Sequence, residues 1–147
     1  MTVEAIAGNG PEVPSDSGFA GGSGTEDDPY QIGTPEQLAL LHRDLEAYYV
    51  LIADIDLKDY LSKDGKGYND GKGWEPIGSE DRPFTGFFDG NGCVISNVYI
   101  CRSDENFVGL FGCVGDEGGL LNVRLEDANI TGRDAVGGLV GDQLRVG

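Results

Sequence analysis

Two aspartates in one short run are the side chains of this 147-residue chain that come closest to a catalytic pair. Asp54 and Asp56 alternate with apolar residues, so a strand would place both carboxylates on one face, about 7 Å apart. A general acid and a general base need two carboxylates in differing environments within a cleft. Nothing in the sequence supplies that cleft. We therefore expect these aspartates to be solvated or to bind backbone amides.

Other catalytic motifs are absent from the sequence. The single histidine, His42, falls on the polar side of a predicted helix, and there is no HExxH motif, P-loop or nucleophile elbow. Cys93, Cys101 and Cys113 lie 8 and 12 residues apart, which matches no common zinc pattern. Three cysteines are also too few for a disulfide framework. We predict that the cysteines are small buried side chains and that the protein is not an enzyme.

A loop over residues 58–73 carries oxygen-bearing side chains that could attract a metal ion. These are Asp64, Asn69 and Asp70. A calcium loop places its oxygen ligands at alternate positions, and Lys66 stands two residues after Asp64, where a ligand would be needed. The sequence therefore predicts no metal and no other cofactor, with calcium at these three residues as the alternative.

The charge of the chain restricts its partners. Ten basic residues stand against 26 acidic ones, giving a net charge of −16. Such a surface repels nucleic acid and anionic lipid, so we expect no direct binding to either. No stretch approaches the roughly 18–20 apolar residues of a membrane span, so no membrane insertion is expected. The acidity suits a soluble surface protein, and it leaves open calcium binding or mimicry of a nucleic-acid surface.

The clearest helix signal begins at Thr34. That residue is a good N-cap, Pro35 occupies the first helical position, and Gln37 stands where it could close a capping box. Leu38, Leu41 and Leu45 follow at helical spacing. These features predict an amphipathic helix over about residues 35–47.

Short strands fill most of the remaining sequence. Over residues 50–57, Leu51, Ala53, Ile55 and Leu57 predict one buried strand face, because they alternate with Asp54 and Asp56. The start of this strand is less clear, since Val50 and Ile52 are apolar too. Beyond Trp74 the apolar runs are three to six residues long, and Gly, Asn or Asp separates nearly all of them. The sequence contains 25 glycines, which suits many tight turns. The sequence therefore predicts an all-β fold.

Two short sequence motifs recur in the second half of the chain. The run Asn97–Ile100 is repeated as Asn122–Leu125, 25 residues later, and a glycine-flanked apolar run occurs at Val108–Gly112 and again at Val136–Gly141. Recurrence at 20–50 residues indicates a repeat architecture. It predicts a right-handed parallel β-helix, a solenoid in which each short strand stacks on its equivalent one coil earlier.

The solenoid prediction specifies which residues would stack on each other in successive coils. Asn97 and Asn122 would stack at a corner, and Ile100 would lie over Leu125 in the interior. The helix over 35–47 would cover the unpaired strand edge and the exposed apolar core of the first coil, since a terminal coil needs a cap.

These runs also resemble a known family. Val136–Gly141 looks like the GLUG motif, and Val108–Gly112 resembles the variant that commonly precedes it. The string Phe84–Gly92 and the residues around Pro29, Asp54 and Ile95 fit the same pattern over about residues 25–141. The resemblance is to right-handed β-helical regions of bacterial surface proteins, including adhesin-like proteins and N-terminal regions of IgA-cleaving metalloproteases. It implies stalks and binding surfaces and carries no catalytic residues.

From these features we divide the chain into a flexible Gly/Pro/Ser-rich leader over residues 1–24 and a capped β-helix domain over 25–147. Such relatives continue for many coils, so we expect either a fragment or a short form. In a short form, a partner or another copy of the chain would cover the open C-terminal edge.

The expected function is that of a non-enzymatic adhesin-like or display module, extracellular or at the bacterial surface. It would bind a host protein or a carbohydrate through exposed strand faces and the loops over 58–73 and 101–106. The alternative is a small acidic inhibitor of the phage type, acting inside the cell. Its surface would mimic DNA and occupy a basic groove of a partner protein.

Overall fold

The computed structural model describes residues 18–143 of the chain. Within that range, eleven short strands and one short α-helix, α1 (Pro35–Ala39), form the regular structure. The strands are β1 (Tyr30–Ile32), β2 (Tyr48–Leu51), β3 (Ile55–Asp56), β4 (Phe87–Asp89), β5 (Val94–Ser96), β6 (Tyr99–Cys101), β7 (Phe111–Val114), β8 (Gly119–Leu121), β9 (Arg124–Glu126), β10 (Asn129–Thr131) and β11 (Val140–Gln143).

The helix begins where the sequence predicts it and ends early. The Thr34 side chain accepts a hydrogen bond from the Gln37 N–H at 3.1 Å, which confirms the N-cap. The Gln37 side chain accepts from the Gly33 N–H at 2.7 Å, one residue earlier than in a capping box.

The predicted helix over 35–47 is wrong in length, because α1 stops at Ala39 and a 3₁₀ turn, Leu40–Arg43, follows it. Asp44 then adopts an extended conformation, and its carboxylate accepts from the Glu46 N–H at 3.0 Å. This local bond offers the backbone an alternative to continued helix, which is how Asp competes with helical structure.

All strand pairs are parallel, and they form four small sheets. The sheets have the orders β1-β2-β4-β8, β3-β5-β9, β10-β6 and β11-β7. Isolated bridges add further contacts, among them Ile77 with Phe111 and Phe84 with Val114. The segment between Leu57 and Phe87 contributes only such bridges and a 3₁₀ turn, Asn69–Gly71, to the described structure.

The prediction of a right-handed β-helix capped by a helix over 35–47 is wrong. The strands form four separate sheets of two to four strands, with no solenoid organisation among the described residues. Paired residues are also unevenly spaced, since Tyr30 pairs with Tyr49, 19 residues on, and Ile55 pairs with Ile95, 40 residues on. A solenoid needs coils of similar length. The loop-rich segment after Leu57 breaks that regularity because its Gly- and Lys-rich sequence forms no strand of its own.

The pairing partners predicted for the repeated motifs are also wrong. Ile100 pairs with Ile130, and Leu125 pairs with Ile95. The Asn97 N–H donates to the Glu126 carbonyl, so Asn97 does not stack on Asn122. The repeated motifs therefore do not lie in register, because Asn97–Ile100 leads into β6 whereas Asn122–Leu125 leads into β9, which belongs to another sheet. The glycine-flanked runs do lie side by side, through the bridge between Val108 and Val136 and the pairing of Phe111 with Val140.

A single apolar core lies between the sheets and beneath α1. Leu38, Leu41, Leu51, Ile55 and Leu57 are buried, as their spacing predicts. Ala53 is exposed, so its place on the buried face was predicted wrongly. The predicted strand over 50–57 breaks at a corner between β2 and β3, where alternation no longer applies.

The first described residues pack against β1. Phe19 is 8% exposed and its ring stacks on Tyr30 with centroids 4.5 Å apart. Gly21 forms an antiparallel bridge with Gln31. Of the leader predicted for residues 1–24, residues 1–17 lie outside the described residues, and that part stays a prediction, as does the domain boundary at residue 25.

Candidate functional site

The aspartates that the sequence singles out for chemistry bind the backbone and a neighbouring amide. Asp54 accepts a hydrogen bond from the Val94 N–H at 2.8 Å. Asp56 accepts from the Asn97 side-chain amide and from the Lys58 N–H, both at 2.9 Å. These bonds confirm the expected role of binding amides. The Asn97 bond, followed by the Lys58 bond, lowers the pKa of Asp56 below its ordinary value.

We expect Asn97→Gly to raise the pKa of Asp56 towards its ordinary value. Asn97 has a φ of 61°, which glycine adopts freely, so the change removes only the side-chain donor. The lowered pKa stabilises the fold above about pH 4, and that contribution is lost as the pH falls through the pKa of the folded state. A carboxyl carbon NMR titration measures the change. Asn91→Gly, at another position of positive φ, is the control, and an unchanged pKa in Asn97→Gly would contradict the assignment.

One of the three residues considered for calcium binds the backbone of its own loop. Asn69 donates its side-chain amide to the Gly67 and Gly73 carbonyls, at 3.3 and 2.9 Å, and so holds the loop backbone. Among residues 18–143, no group of three or more His, Cys, Asp or Glu side chains is placed to hold a metal ion. Calcium at Asp64, Asn69 and Asp70 stays the alternative to the prediction of no metal.

The histidine and the cysteines are scattered. The His42 Nε2 lies 3.2 Å from the Glu75 carbonyl, beside a polar cavity of about 220 Å³ that Tyr60 also lines. None of the three cysteines is in a disulfide. Cys113 is buried, as predicted. Cys93 is half-buried and Cys101 is exposed, so the prediction of burial was wrong for these two residues.

The structure instead brings together aromatic and acidic side chains on the outer face of the four-stranded sheet. In β2, Tyr49 and Leu51 point into the core, so Tyr48 and Val50 point outwards. In β4, Phe88 is buried and its neighbours Phe87 and Asp89 are half-buried on the outer face.

The strand register places these outward side chains beside each other. Tyr48 pairs with Phe87, and Val50 pairs with Asp89. The Tyr48 and Phe87 rings lie 5.9 Å apart between centroids, at an angle of 36°. This is the range in which aromatic pairs attract.

A glycine lets the Phe87 ring lie close to the sheet. Gly119 of β8 pairs with Phe87, and a Cβ there would come within 2.7 Å of the ring. A side chain at that position would therefore push the ring away from the strand. Further along β8, Leu121 pairs with Asp89 on the same outer face and is 45% exposed.

These side chains form a concave site that we call the outer groove. Its volume is about 420 Å³, and it is lined by Glu26, Pro29, Tyr48, Tyr49, Val50, Phe87 and Asp89. Small-molecule sites commonly measure about 300–1,000 Å³ and combine apolar walls with a few polar groups. The outer groove falls in that range, whereas the polar cavity beside His42 is smaller.

The charge of the outer groove is negative. Glu26 and Asp89 line it, and among the described lining residues none is basic. Asp89 accepts a hydrogen bond from the Asn91 N–H at 2.8 Å, which orients the carboxylate. A carboxylate accepts about four hydrogen bonds, so capacity remains for ligand donors. The outer groove can therefore combine ring stacking with acceptance of hydroxyl hydrogen bonds.

The outer groove was not identified from the sequence. Its signal was present, because Tyr48–Leu51 and Phe87–Asp89 each carry large apolar side chains on both faces of a short strand. In a sheet with one buried face, the second set must form an exposed apolar patch. The predicted contact loop over 101–106 has a structural role in part, since Arg102 donates to the Trp74 carbonyl at 3.2 Å and pairs with Glu105 at 3.3 Å.

Comparison with known proteins gives two relatives. The chain is 41% identical over 133 residues to a protein of Evansella cellulosilytica that carries the name Gly-rich membrane protein, covering 87% of this chain and 15% of that protein. It is 38% identical over 124 residues to halomucin of Haloquadratum walsbyi, covering 82% of this chain and 1% of halomucin. The chain thus spans a small part of each relative.

Other comparisons find no counterpart. No protein-family model matches the chain, and no solved structure matches it. Among residues 18–143, no helix has the length and apolar character needed to cross a membrane. What this chain is similar to is therefore a segment of two much longer proteins, a Gly-rich membrane protein and halomucin.

Proposed function

We propose that this chain is a non-enzymatic binding module of a surface- or membrane-associated protein, and that its outer groove binds neutral carbohydrate. The outer groove, with two aromatic rings beside two carboxylates, is the observation that carries the proposal. The names of the two relatives support the surface setting. These names favour a surface-associated binding module over an inhibitor that mimics DNA.

The side chains that line the outer groove indicate which class of ligand it can bind. A sugar ring offers C–H groups that pack against the negative face of an aromatic ring. Its hydroxyls donate hydrogen bonds that carboxylates accept. Anionic sugars and phosphates are disfavoured, because the lining carboxylates repel them and the chain as a whole carries a charge of −16. Neutral carbohydrate satisfies the apolar and the acidic parts together.

We expect calorimetric titration of the chain with neutral hexaoses, namely cellohexaose, maltohexaose and mannohexaose, to detect binding of at least one. Tri-galacturonate, an anionic oligosaccharide, should bind more weakly. Phe87→Ala should weaken the binding about tenfold or more, because it removes one of the two outward-pointing aromatic rings that line the outer groove. A tenfold change corresponds to about 1.4 kcal/mol.

Tyr99→Ala is the matched control, since Tyr99 is also an exposed aromatic, 38% exposed, but lies on β6 away from the outer groove. It should leave the affinity unchanged. Failure of all three hexaoses to bind at millimolar concentration would refute carbohydrate binding. Equal affinity of Phe87→Ala and the unaltered chain would refute the outer groove as the site.

A further inference from the structure

The polar cavity beside His42 is a second candidate site, apart from the outer groove. Its volume is about 220 Å³, and among the described residues the two sites share no lining residue. Three parts of the chain enclose the polar cavity: α1 with the 3₁₀ turn that follows it, the loop over residues 58–73, and the pair Trp74 and Glu75 directly after that loop.

Contacts between these parts hold the walls of the polar cavity in place. The Gly67 N–H donates to the Tyr60 carbonyl at 2.9 Å, and a Cβ at Gly67 would collide with the Tyr60 ring. The Trp74 indole lies beside that ring, at 6.2 Å between centroids. The His42 ring contacts the Glu75 carbonyl, 33 residues along the chain, and so joins opposite walls. A preformed cavity lowers the cost of ordering that binding incurs.

Two opposite charges line the polar cavity without pairing. Lys66 and Glu75 are both exposed and both belong to the lining. Among residues 18–143, the two side chains form no ion pair with each other, and neither charged group has another hydrogen-bond partner. An ammonium group with three donors and a carboxylate that only accepts are therefore both available to a ligand.

Tyr60 adds a neutral donor to the same lining. Its side chain is half-buried, and burial, followed by the negative charges of Glu36 and Glu75, raises the pKa of its hydroxyl above the ordinary value. The hydroxyl therefore stays protonated at neutral pH. It has no hydrogen-bond partner within the described part of the chain. A carboxylate is the acceptor that Lys66 and a tyrosine hydroxyl can hold together.

This charge pattern suits a small zwitterion. An anion would be attracted by Lys66 and repelled by Glu75, and a cation would meet the reverse. A molecule that carries both a carboxylate and an ammonium group satisfies both side chains. The polar cavity lies below the range of about 300–1,000 Å³ that is usual for small-molecule sites, which favours a molecule of few atoms. We propose that the polar cavity binds a free α-amino acid, with its carboxylate at Lys66 and Tyr60 and its ammonium group at Glu75.

An NMR titration of the isotope-labelled chain tests this proposal. At least one of glycine, L-alanine, L-serine and L-glutamine should shift the Trp74 indole N–H and Gly67 amide signals and saturate at millimolar concentration. Acetate and methylammonium, which each carry one of the two charges, should bind about tenfold more weakly or worse. Lys66→Gln and Glu75→Gln should each weaken the binding of the amino acid by about the same factor.

Matched controls remove the same charges elsewhere. Lys63→Gln and Glu80→Gln alter exposed residues outside the lining and should leave the affinity unchanged. The remaining amide signals report whether each variant is folded. The proposal is overturned if no amino acid shifts the two signals at millimolar concentration, or if acetate or methylammonium binds as tightly. Unchanged affinity in Lys66→Gln or Glu75→Gln would overturn it as well.

The result is independent of carbohydrate binding. The outer groove is lined by other residues, so Phe87→Ala should leave the binding of the amino acid unchanged. Failure of the amino acids would likewise leave the hexaose titration unaffected. The two proposals therefore fail or succeed separately.

Discussion

Phe88→Ala is expected to lose about 3–5 kcal/mol of unfolding free energy, which is the range for truncating a buried phenylalanine. Phe88 is 0% exposed, and its ring meets Phe111 at 5.5 Å between centroids. Phe84 also contacts Phe111, at 5.0 Å, so the substitution removes one member of a connected aromatic cluster. Because domains of this size have about 5–15 kcal/mol of stability in total, the variant should approach the folding limit.

Urea denaturation measures the loss, and Trp74 reports on it. Trp74 is the single tryptophan of the chain, and it is 2% exposed. Its indole N–H donates to the Leu110 carbonyl at 3.0 Å, so unfolding changes its environment strongly. The fluorescence midpoint, combined with the slope of the transition, gives the free energy of unfolding.

The neighbouring residue provides the matched control. Phe87 has the same side chain but lies half-buried on the outer face of the same strand. Phe87→Ala should therefore cost only about 1 kcal/mol, because less apolar surface is removed from the interior. Equal losses in the two variants would contradict the assignment of an inner and an outer face to β4.

Gly109→Ala is expected to destabilise the fold by about 1–3 kcal/mol, the usual cost of overpacking. A Cβ at Gly109 would lie 2.6 Å from the Gly137 carbonyl oxygen and 2.9 Å from the Gly141 nitrogen. Both are backbone atoms of the second glycine-flanked run, so the two runs would have to separate. Urea denaturation at matched protein concentration again provides the measurement.

Gly138→Ala tests whether this effect is specific to the close approach. Gly138 lies in the same pair of runs, but the nearest atom to its added Cβ is a Leu125 methyl carbon at 3.7 Å, an ordinary contact. We expect a change within about 0.5 kcal/mol. If Gly138→Ala were as harmful as Gly109→Ala, close packing of the two runs could not be the reason for the glycine at 109.

Local features of this fold could be predicted where a few neighbouring residues determine them. The N-cap at Thr34 and the burial of Leu38, Leu51 and Ile55 follow from spacing alone. The roles of Asp54 and Asp56 were also accessible, because short acidic side chains readily bind nearby amides. The length of the helix was not accessible in this way, because α1 changes to a 3₁₀ turn after Ala39 and Asp44 ends that turn in an extended conformation.

Long-range features could not be predicted for a physical reason. Similar motifs do not have to pair, because pairing depends on where each strand lies in the fold. Asn97–Ile100 follows β5, whereas Asn122–Leu125 leads into β9, the partner of β5, so the two motifs are displaced relative to each other. The division into four sheets depends in turn on the segment after Leu57, which forms no strand to continue a regular stack.

The amino-acid sequence by itself determined the acidity of the surface, the short strands, the helix start and much of the buried face, since these depend on residue type and spacing. Only the tertiary structure decided that Tyr48 lies beside Phe87 in an outer groove. These two residues are 39 positions apart in the sequence. Their contacts arise from strand register and packing, which no local pattern encodes.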